Sequence, residues 1–455
     1  MCSRPSSAAT PRPITGRAGW ASRRWASTGS TIGGSTACSG CPTRNPKSMS
    51  ARPDNLLDPR HFDGVWKPYL EAETLPPWCY TSPEWYALEV ERLFKRSWNL
   101  IGHASRIPEP GDYFTLEFCG MPLIVARDRD GAIGAFANSC RHRSAILLEG
   151  AGNCKGGIKC LYHGWVFAAD GRLTGAPGME DVHDFDRARW GLKPVRLERW
   201  GGFLFVTFDE ATPSLAEWLG DAVELAKPYG IERLKMTHRA EYQVRCNWKL
   251  YIENFKDNSH IKTVHANTLY QQVLNYTGPL EYVGTRGEWF GAFLPHEGTR
   301  TILKGVGVKG VREGVKGFPP IREFTEGKVR EGSFYPTIYP GTCIGLCVDS
   351  AWFLEIIPHG PNRMTLAVNS CFHEETVARP DFAALAPLYY QRMDIAVPED
   401  NAVNETVQKG LSAPHASQGR LGHMEAGVSQ VNQFWAAKVL GRPLARRPEG
   451  NYAVV

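Results

Sequence analysis

Two cysteines and two histidines have a spacing that suits metal binding. Cys140 and His142 form a Cys-x-His pair in "CRHR", and Cys160 and His163 form a Cys-x-x-His pair in "CLYHGW", with seventeen residues between the pairs. Thiolates are soft ligands and imidazoles are intermediate, so this set suits zinc or an iron–sulfur cluster. The spacing therefore predicts a metal centre that is held by two loops.

The mixed composition of each pair favours one of these metals. Zinc fingers usually pair cysteine with cysteine and histidine with histidine. One Cys and one His in each loop is typical of a Rieske [2Fe–2S] centre, where two His replace two Cys on one iron and raise the reduction potential. A zinc knot is the alternative. Cys154 lies outside the spacing and is predicted to be a free thiol, while Tyr162 and Trp165 are predicted to shield the cluster.

A second histidine pair lies in "NWKLYIENFKDNSHIKTVH", which covers residues 247–265. His260 and His265 are five residues apart, and Asn254 and Asp257 precede them. The three-residue spacing of Asp257 and His260 predicts that both side chains share one face of a helix. Two imidazoles and one carboxylate on one face of a non-haem iron leave positions open for O₂ and substrate. A His-x₄-His pair by itself is often only a surface feature, and its company in this segment favours a metal site.

The order of the two motifs resembles one known family. "CRHR", "CLYHGW" and the pattern "NWK…EN…D-x-x-H-x₄-H" are similar to those of the α subunit, or terminal oxygenase component, of the Rieske non-haem iron oxygenases, the aromatic-ring-hydroxylating dioxygenase family, over about residues 60–435. The resemblance implies that the first site binds the cluster and that His260 and His265 bind a mononuclear Fe(II). It also implies that Asp257 bridges to a cluster histidine of a neighbouring subunit and that Asn254 lies close to the iron.

The third iron ligand in that family is a carboxylate on a helix far downstream. The segment "VPEDNAVNETVQKGL" matches it, which implies Asp400 as the ligand, with Glu399 and Asp394 as reserves. The residues alone allow another interpretation. A helix that begins at Pro398 would have a positive end there, and Glu399 and Asp400 would then only stabilise that end.

Hydrophobic patterning divides the chain into segments. Residues 49–97 include the helix signal "TSPEWYALEVERLFKRSW", in which Ser82 can cap and Pro83 suits the first helical position. Residues 98–212 contain short β runs, one of them folded at Asp130-Gly131 as a hairpin.

Helices and strands mix in residues 213–445, where "SLAEWLGDAVELAKPY" is predicted to be helical. Together with the resemblance, this pattern implies an α+β fold. An all-β Rieske [2Fe–2S] domain is inserted near the start of an α+β catalytic domain, which has an antiparallel sheet and helices of the helix-grip type.

The composition excludes several classes of protein. The formal net charge of +5 comes from residues 1–48, which carry Arg and Lys and no acid, and the slightly acidic remainder does not predict nucleic-acid binding. That first segment is predicted to be a disordered leader, either a transit peptide or the result of a true start at Met49. The 12 cysteines show no disulfide pattern, which fits a cytoplasmic protein, and no apolar run predicts a membrane span.

The resemblance implies an enzyme that uses O₂ as co-substrate and receives electrons from a separate NAD(P)H-dependent reductase, in some members through a ferredoxin. No Rossmann fingerprint stands in a strand–helix setting, so NAD(P)H is expected to bind only the partner reductase. The expected assembly is a homotrimer, with or without a small β subunit.

The substrate is expected to be a small organic molecule, and two classes compete. "NWKLYIENFKD" slightly favours hydroxylation of an aromatic carboxylate, while the tail from "EDNAVNETVQKGL" favours a monooxygenase of a quaternary ammonium compound such as choline, carnitine or betaine. Two hypotheses without oxygenase activity are also compatible with the sequence. One is a Rieske electron carrier with an idle second site, and the other is a zinc-stabilised binding protein.

Overall fold

The computed structural model describes residues 52–271, 275–297, 317–327, 329–444 and 453–454. The prediction of a leader over residues 1–48 lies outside the described residues. No helix among the described residues is both long and apolar enough to cross a membrane.

Two short helices open the described chain, α1 (Trp78–Thr81) and α2 (Pro83–Arg92). The Ser82 hydroxyl accepts a hydrogen bond from the Trp85 N–H at 3.1 Å, and Pro83 occupies the first turn, where no N–H is needed. The predicted start of this helix is therefore confirmed.

An all-β module follows. Its strands in the described chain are β1 (Asn99–His103), β2 (Asp112–Phe118), β3 (Met121–Arg127), β4 (Ile133–Ala137), β5 (Ala151–Asn153), β6 (Ile158–Lys159), β7 (Val166–Phe167), β8 (Leu173–Gly175), β9 (Pro194–Trp200) and β10 (Phe203–Thr207). One sheet has the order β1-β10-β9-β4-β3-β2-β5, and β6-β7-β8 form a smaller sheet. β3 and β4 make the predicted hairpin, and Gly131 in its turn has φ 88°, a left-handed conformation that favours glycine.

Helices and strands mix in the rest of the described chain. The strands are β11 (Leu234–Val244), β12 (Asn275–Tyr276), β13 (Leu280–Val283), β14 (Trp289–Glu297), β15 (Gly332–Ile338), β16 (Thr342–Leu346), β17 (Ala351–Pro358), β18 (Met364–His373) and β19 (Ala453–Val454). The helices are α3 (Leu215–Leu219), α4 (Ala222–Ala226), α5 (Trp248–Lys256), α6 (Arg322–Thr325), α7 (Glu374–Val377), α8 (Phe382–Leu411) and α9 (Ala426–Leu440). Gly220, with φ 53°, divides the helical segment predicted after the β module into α3 and α4.

The strands of this second part form an antiparallel sheet in the order β11-β18-β17-β16-β15-β14-β13-β19, with β12 beside β14. The long helix α8 packs near β11 and β18, and α9 packs near β14. An all-β module followed by a helix-covered antiparallel sheet is the predicted α+β fold. The strands of the module lie within the predicted boundaries 98–212, and the domain boundaries themselves stay a prediction.

One hydrophobic core joins the β module to the second sheet. The buried rings of Phe203 on β10 and Phe353 on β17 pack edge to face with centroids 5.2 Å apart. The buried carboxylate of Glu355 on β17 lies 2.8 Å from the Arg239 guanidinium on β11 and 3.7 Å from that of Arg106, which follows β1. A smaller core fills the module beneath the two predicted metal-binding loops.

Helices α5 and α8 carry the second predicted metal site, and direct hydrogen bonds hold them together. The side-chain carbonyl of Gln408 on α8 accepts from the backbone N–H of Asn247, the N-cap of α5, at 2.8 Å. The Gln408 amide also donates to the Tyr80 carbonyl on α1 at 3.2 Å. These bonds fix the register between the two helices.

A buried carboxylate fixes α5 from its other side. Glu89 on α2 is fully buried and accepts hydrogen bonds from the Trp85 indole at 2.9 Å, the Trp248 indole at 3.0 Å and the Lys249 ammonium at 2.6 Å. A charged group in a protein interior is costly unless it is paired in this way. The pair therefore determines where the start of α5 lies.

Candidate metal centres and active site

The two predicted cluster-binding loops have matching backbones. In each loop the cysteine N–H donates to the carbonyl five residues later, at 2.8 Å for Cys140 and 2.7 Å for Cys160. Each cysteine carbonyl accepts from the N–H four residues later, and that residue is left-handed, with φ 55° at Ser144 and φ 72° at Gly164. The two loops therefore present their side chains from equivalent positions.

The side chains of these loops separate into a buried pair and an exposed pair. Cys140 and Cys160 are buried, and burial together with the neighbouring Cys160 thiol raises the pKa of Cys140. His142 and His163 are exposed, with ring centroids 4.6 Å apart. Trp165 stacks on His142 at 5.0 Å, which agrees with its predicted shielding role.

Two other residues near the loops behave differently from each other. Tyr162 lies 3.8 Å from the His163 ring, measured between centroids, but its own side chain is exposed, so it covers the histidine rather than burying it. Cys154 is a buried free thiol that donates to the Gly111 carbonyl at 3.1 Å, as predicted.

The second site brings together His260, His265 and Asp400. The Asp400 Oδ1 atom lies 3.0 Å from His265 Nε2 and 3.6 Å from His260 Nε2. One donor atom from each residue lies within 4.8 Å of the others, and this is the one such cluster found among the described residues. Two imidazole nitrogens and one carboxylate oxygen therefore converge on one point.

The route of the chain to these histidines differs from the prediction. Asp257 and His260 were expected on one face of a helix, but α5 ends at Lys256 and Asp257 is its extended C-cap. A short 3₁₀ turn, Ser259–Lys262, then carries His260. The Asp257 carboxylate still lies 3.5 Å from His260 Nδ1, because the turn brings the chain back over the end of α5.

Asp257 lies beside the outer nitrogen of His260. That nitrogen is buried and has no hydrogen-bond partner at ordinary distance in the described part of the chain. Burial raises the pKa of Asp257, but the His260 imidazole and the Ser259 N–H lower it by more, so its net pKa lies below the ordinary value. The carboxylate is therefore ionised at neutral pH.

The reserve ligand Glu399 has a separate position that the sequence did not predict. Its Oε2 atom lies 2.7 Å from His265 Nδ1 and accepts from the Thr268 hydroxyl at 2.7 Å. Glu399 thus contacts the outer nitrogen of His265, and Asp400 faces the inner one. Burial lowers the pKa of His265, but the hydrogen bonds with Asp400 and Glu399 raise it by more.

Helix α8 explains why only one of the three predicted acids faces the inner nitrogens of both histidines. Pro398 lies inside α8, so the alternative in which Glu399 and Asp400 stabilise a helix start at Pro398 is wrong. Asp400 follows the buried Met393 and Val397 at helical spacing and shares their face, whereas Asp394 faces His238 at 3.4 Å. The spacing of these apolar residues was a signal in the sequence.

Asn254, predicted to lie near the iron, hydrogen-bonds to the candidate ligand. Its side-chain amide donates to Asp400 Oδ1 at 3.1 Å. A donor at this position restricts the rotation of the carboxylate, and Oδ1, the oxygen that faces the two histidines, keeps a second lone pair.

A cavity of about 550 Å³ opens beside the side chains of His260, His265 and Asp400. This volume suits a small organic molecule. Phe255, Tyr335 and Trp352 line it and form a corner of three rings, with centroid distances of 5.5 Å from Phe255 to Trp352, 6.5 Å from Phe255 to Tyr335 and 6.3 Å from Tyr335 to Trp352. Phe255 lies in the sequence segment that carries the two histidines, whereas the other two rings come from the strands β15 and β17.

Comparison with known proteins matches two regions of the chain to known domain families. The Rieske [2Fe-2S] domain matches residues 97–186, and the catalytic domain of the ring hydroxylating alpha subunit matches residues 231–441. The chain belongs to the Rieske non-haem iron oxygenases. Its cofactors are those of the family, a Rieske [2Fe–2S] cluster and a mononuclear iron, so neither the electron-carrier nor the zinc-protein alternative holds. Members of the family receive electrons from a reductase, in some cases through a ferredoxin.

Two relatives and one solved structure are similar to this Rieske oxygenase over different shares of its length. It is 29% identical to the chloroplastic choline monooxygenase of Beta vulgaris over 380 residues, 82% of this chain and 78% of that protein. It is 38% identical to the large subunit of anthranilate 1,2-dioxygenase of Acinetobacter baylyi over 221 residues, 46% of this chain and 45% of that protein. The structure of a quaternary ammonium Rieske monooxygenase, described with carnitine oxidation and inter-subunit electron transfer, has the same fold, with a TM-score of 0.68 and 23% identity over 83% of this chain and 98% of that one.

The donor sets of this Rieske oxygenase suit both family cofactors. The cluster needs four ligands spread over two irons, which explains why its two thiols and two imidazoles do not converge on one point as the second site does. A single Fe(II) is matched by two imidazoles and one carboxylate, whose donor atoms do converge.

Proposed function

We propose that this Rieske oxygenase hydroxylates a quaternary ammonium compound of the choline, carnitine or betaine type. The observation that carries the proposal is the corner of three aromatic rings, Phe255, Tyr335 and Trp352, in the cavity that the metal-binding side chains share. The negative faces of aromatic rings attract quaternary ammonium groups, and several rings around one point make a cage for such a cation. The choline monooxygenase that matches most of the chain supports the same substrate class.

We also propose the ligands of the two centres. Cys140, His142, Cys160 and His163 hold the cluster, and His260, His265 and Asp400 hold the Fe(II). When bound, the iron activates O₂ for insertion into the substrate with electrons that the cluster supplies. The surrounding residues act on the ligands: Asn254 orients Asp400, and Glu399 orients His265 through its outer nitrogen.

Oxidation of an aromatic carboxylate, which the sequence slightly favoured, is the second candidate. The anthranilate 1,2-dioxygenase subunit supports it with higher identity over less than half of the chain. The choline monooxygenase supports the first candidate over 82% of the chain, which is why the quaternary ammonium class takes precedence.

The proposed assembly is a homotrimer, with or without a small β subunit, located in the cytoplasm. The cluster histidines His142 and His163 are exposed on the Rieske module, where a neighbouring subunit can reach them. Asp257 contacts the outer nitrogen of a proposed iron-ligand histidine and keeps 22% of its side chain exposed. A head-to-tail ring would place each Asp257 between its own iron and the neighbour's cluster.

A substrate screen tests the proposal. The purified chain, loaded with Fe(II), would be mixed with a reductase of this family and NADH. Choline, carnitine, glycine betaine, anthranilate and salicylate would be offered separately, and products would be identified by mass spectrometry. We expect oxygenation or dealkylation of at least one quaternary ammonium compound. Product from the aromatic acids alone would overturn the first candidate in favour of the second.

Metal analysis tests the ligand assignment in the same preparation. A cluster and a mononuclear iron correspond to about three irons per chain. His260→Ala should lose the mononuclear iron and all turnover but keep the visible absorption of the cluster, and Cys160→Ser should lose that absorption. Loss of both signals in both variants would contradict two separate centres.

A further inference from the structure

The cavity of this Rieske oxygenase contains a lysine that has no carboxylate partner in the described part of the chain. Lys256, the last residue of α5, lines the cavity and is only 6% exposed. Its Nζ atom donates to the carbonyls of Phe290 at 3.2 Å and Tyr335 at 3.3 Å. Within the described ranges, no carboxylate lies within ion-pair distance of this ammonium group, so its charge is met by dipoles alone.

The other buried lysine of the described chain shows what is missing. Lys249, on the same helix, is fully buried and pairs with Glu89 at 2.6 Å. A buried charge without a counterion is unfavourable, and burial lowers the pKa of Lys256 to about 7. An ammonium has three N–H donors, and two carbonyls account for two of them.

Packing holds the lysine where it is. The glycine at position 427 on α9 lies against its aliphatic stem, since a Cβ atom added there would be 3.0 Å from Lys256 Cβ. The ammonium lies 5.2 Å from the centre of the Phe255 ring, one of the three rings of the aromatic corner. The charge is therefore fixed next to the surface proposed to receive the quaternary group.

The charged groups around the cavity, taken together, also disfavour a substrate that is purely cationic. Lys256, Lys262 and Arg392 line the cavity, against the carboxylates Asp257 and Asp400. Asp400 is a proposed metal ligand, so its charge is matched by the metal. A choline-like cation would meet this excess of positive charge, whereas an anionic group would compensate it.

We propose that Lys256 binds the carboxylate of the substrate and selects carboxylate-bearing molecules over uncharged or purely cationic analogues. Applied to the proposed function, on which this inference rests, the substrate is a zwitterion with a quaternary ammonium and a carboxylate. The aromatic corner holds the first group and Lys256 donates to the second. No bond to the substrate is made or broken by the lysine, so it is a specificity residue.

Two matched substrate pairs test the inference on the iron-loaded full chain with reductase and NADH. Glycine betaine and choline share a trimethylammonium group, and glycine betaine has a carboxylate where choline has a hydroxymethyl group. Anthranilate has a carboxylate that aniline lacks. We expect kcat/KM to be about tenfold to a hundredfold higher for the carboxylate member of whichever pair is turned over, the range of a hydrogen bond to a charged group.

Lys256→Met retains the aliphatic stem and removes the charge. In this variant the preference should fall to within about threefold, mainly through a higher KM for the carboxylate member of the pair. Lys256→Arg should keep part of the preference. Lys227→Met, which removes an exposed charge far along the chain from α5, is the control and should change neither ratio.

Each outcome decides a separate point. A parent enzyme that prefers choline or aniline, or a Lys256→Met variant that keeps the carboxylate preference with normal iron content and cluster absorption, would overturn the role of Lys256. Turnover of the aromatic pair alone would overturn the quaternary ammonium substrate, and the anthranilate-to-aniline ratio would still test the lysine. A Lys256→Met variant without cluster absorption would be replaced in the comparison by Lys256→Gln.

Discussion

Substitution of Glu399 tests how neighbouring residues support the proposed iron ligands, because Glu399 contacts a proposed ligand without being one. Its carboxylate contacts the outer nitrogen of His265 at 2.7 Å and also accepts from Thr268. Glu399→Ala removes both contacts, and Glu399→Gln keeps an oxygen acceptor but removes the charge. Asp394→Asn, an acid on the same helix that faces His238, is the matched control.

The expected size of the effect follows from this position. Residues that hydrogen-bond the outer nitrogen of a metal-binding histidine contribute about tenfold to a hundredfold in metal affinity. This corresponds to about 1.4 to 2.7 kcal/mol. Glu399 is 32% exposed, so water screens part of its charge, and we expect about tenfold for Glu399→Gln and nearer a hundredfold for Glu399→Ala. Asp400→Ala, which removes a ligand, should exceed both.

Competition for Fe(II) against a chelator of known affinity measures these changes under anaerobic conditions. The visible absorption of the cluster serves as an internal check that each variant is folded. Iron binding by Glu399→Ala as tight as that of the parent would refute the supporting role of Glu399. A loss in Glu399→Ala larger than in Asp400→Ala would make Glu399 the ligand and Asp400 its support.

Three further predictions concern other parts of the chain. Burial lowers the pKa of His103 from 6.5 to about 4, so protonation of this residue costs the folded protein about 3 kcal/mol of stability as the pH falls from 6.5 towards 4. His103→Gln should therefore move the acid-unfolding midpoint to lower pH. Identical midpoints in the variant and the parent would contradict this. Glu89→Ala should lower the free energy of unfolding by about 3 to 5 kcal/mol, and adding Lys249→Met should recover part of it in denaturant titrations, unless the pair is not coupled. Asp257→Asn should keep both metals but slow electron transfer between them, which stopped-flow absorption of the reduced cluster with substrate and O₂ would detect; a cluster that oxidises at the parent's rate would limit Asp257 to a surface role.

Local chemistry made a Rieske centre predictable from the sequence. The four proposed ligands lie within 24 residues of chain, in two short loops, so their types and spacing nearly define the geometry. The helix start at Ser82 and the hairpin at Gly131 were predictable for the same reason, since a cap or a left-handed turn depends on a few adjacent residues. The family resemblance, which rests on these local motifs, correctly gave the enzyme class.

Long-range packing decided the second site in detail. The sequence could propose Asp400, but its choice over Glu399 depends on which face of α8 meets the histidines, and that face is set by contacts between distant segments such as Gln408 and Asn247. The end of α5 before Asp257 was missed because the segment's helical periodicity carries no clear stop signal.

The sequence by itself determined the two cofactor motifs, because residue types at fixed spacing define them, and the family resemblance that these motifs carry gave the α+β architecture and the oxygenase class. Only the tertiary structure decided what surrounds the iron ligands. It placed Tyr335 and Trp352 from two strands beside Phe255, and it buried Lys256 in the same cavity without a carboxylate in the described chain. Tyr335 and Trp352 are separated from Phe255 by about 80 to 100 residues of sequence. They come into contact only when the sheet packs against the helix, and no local sequence pattern predicts such contacts.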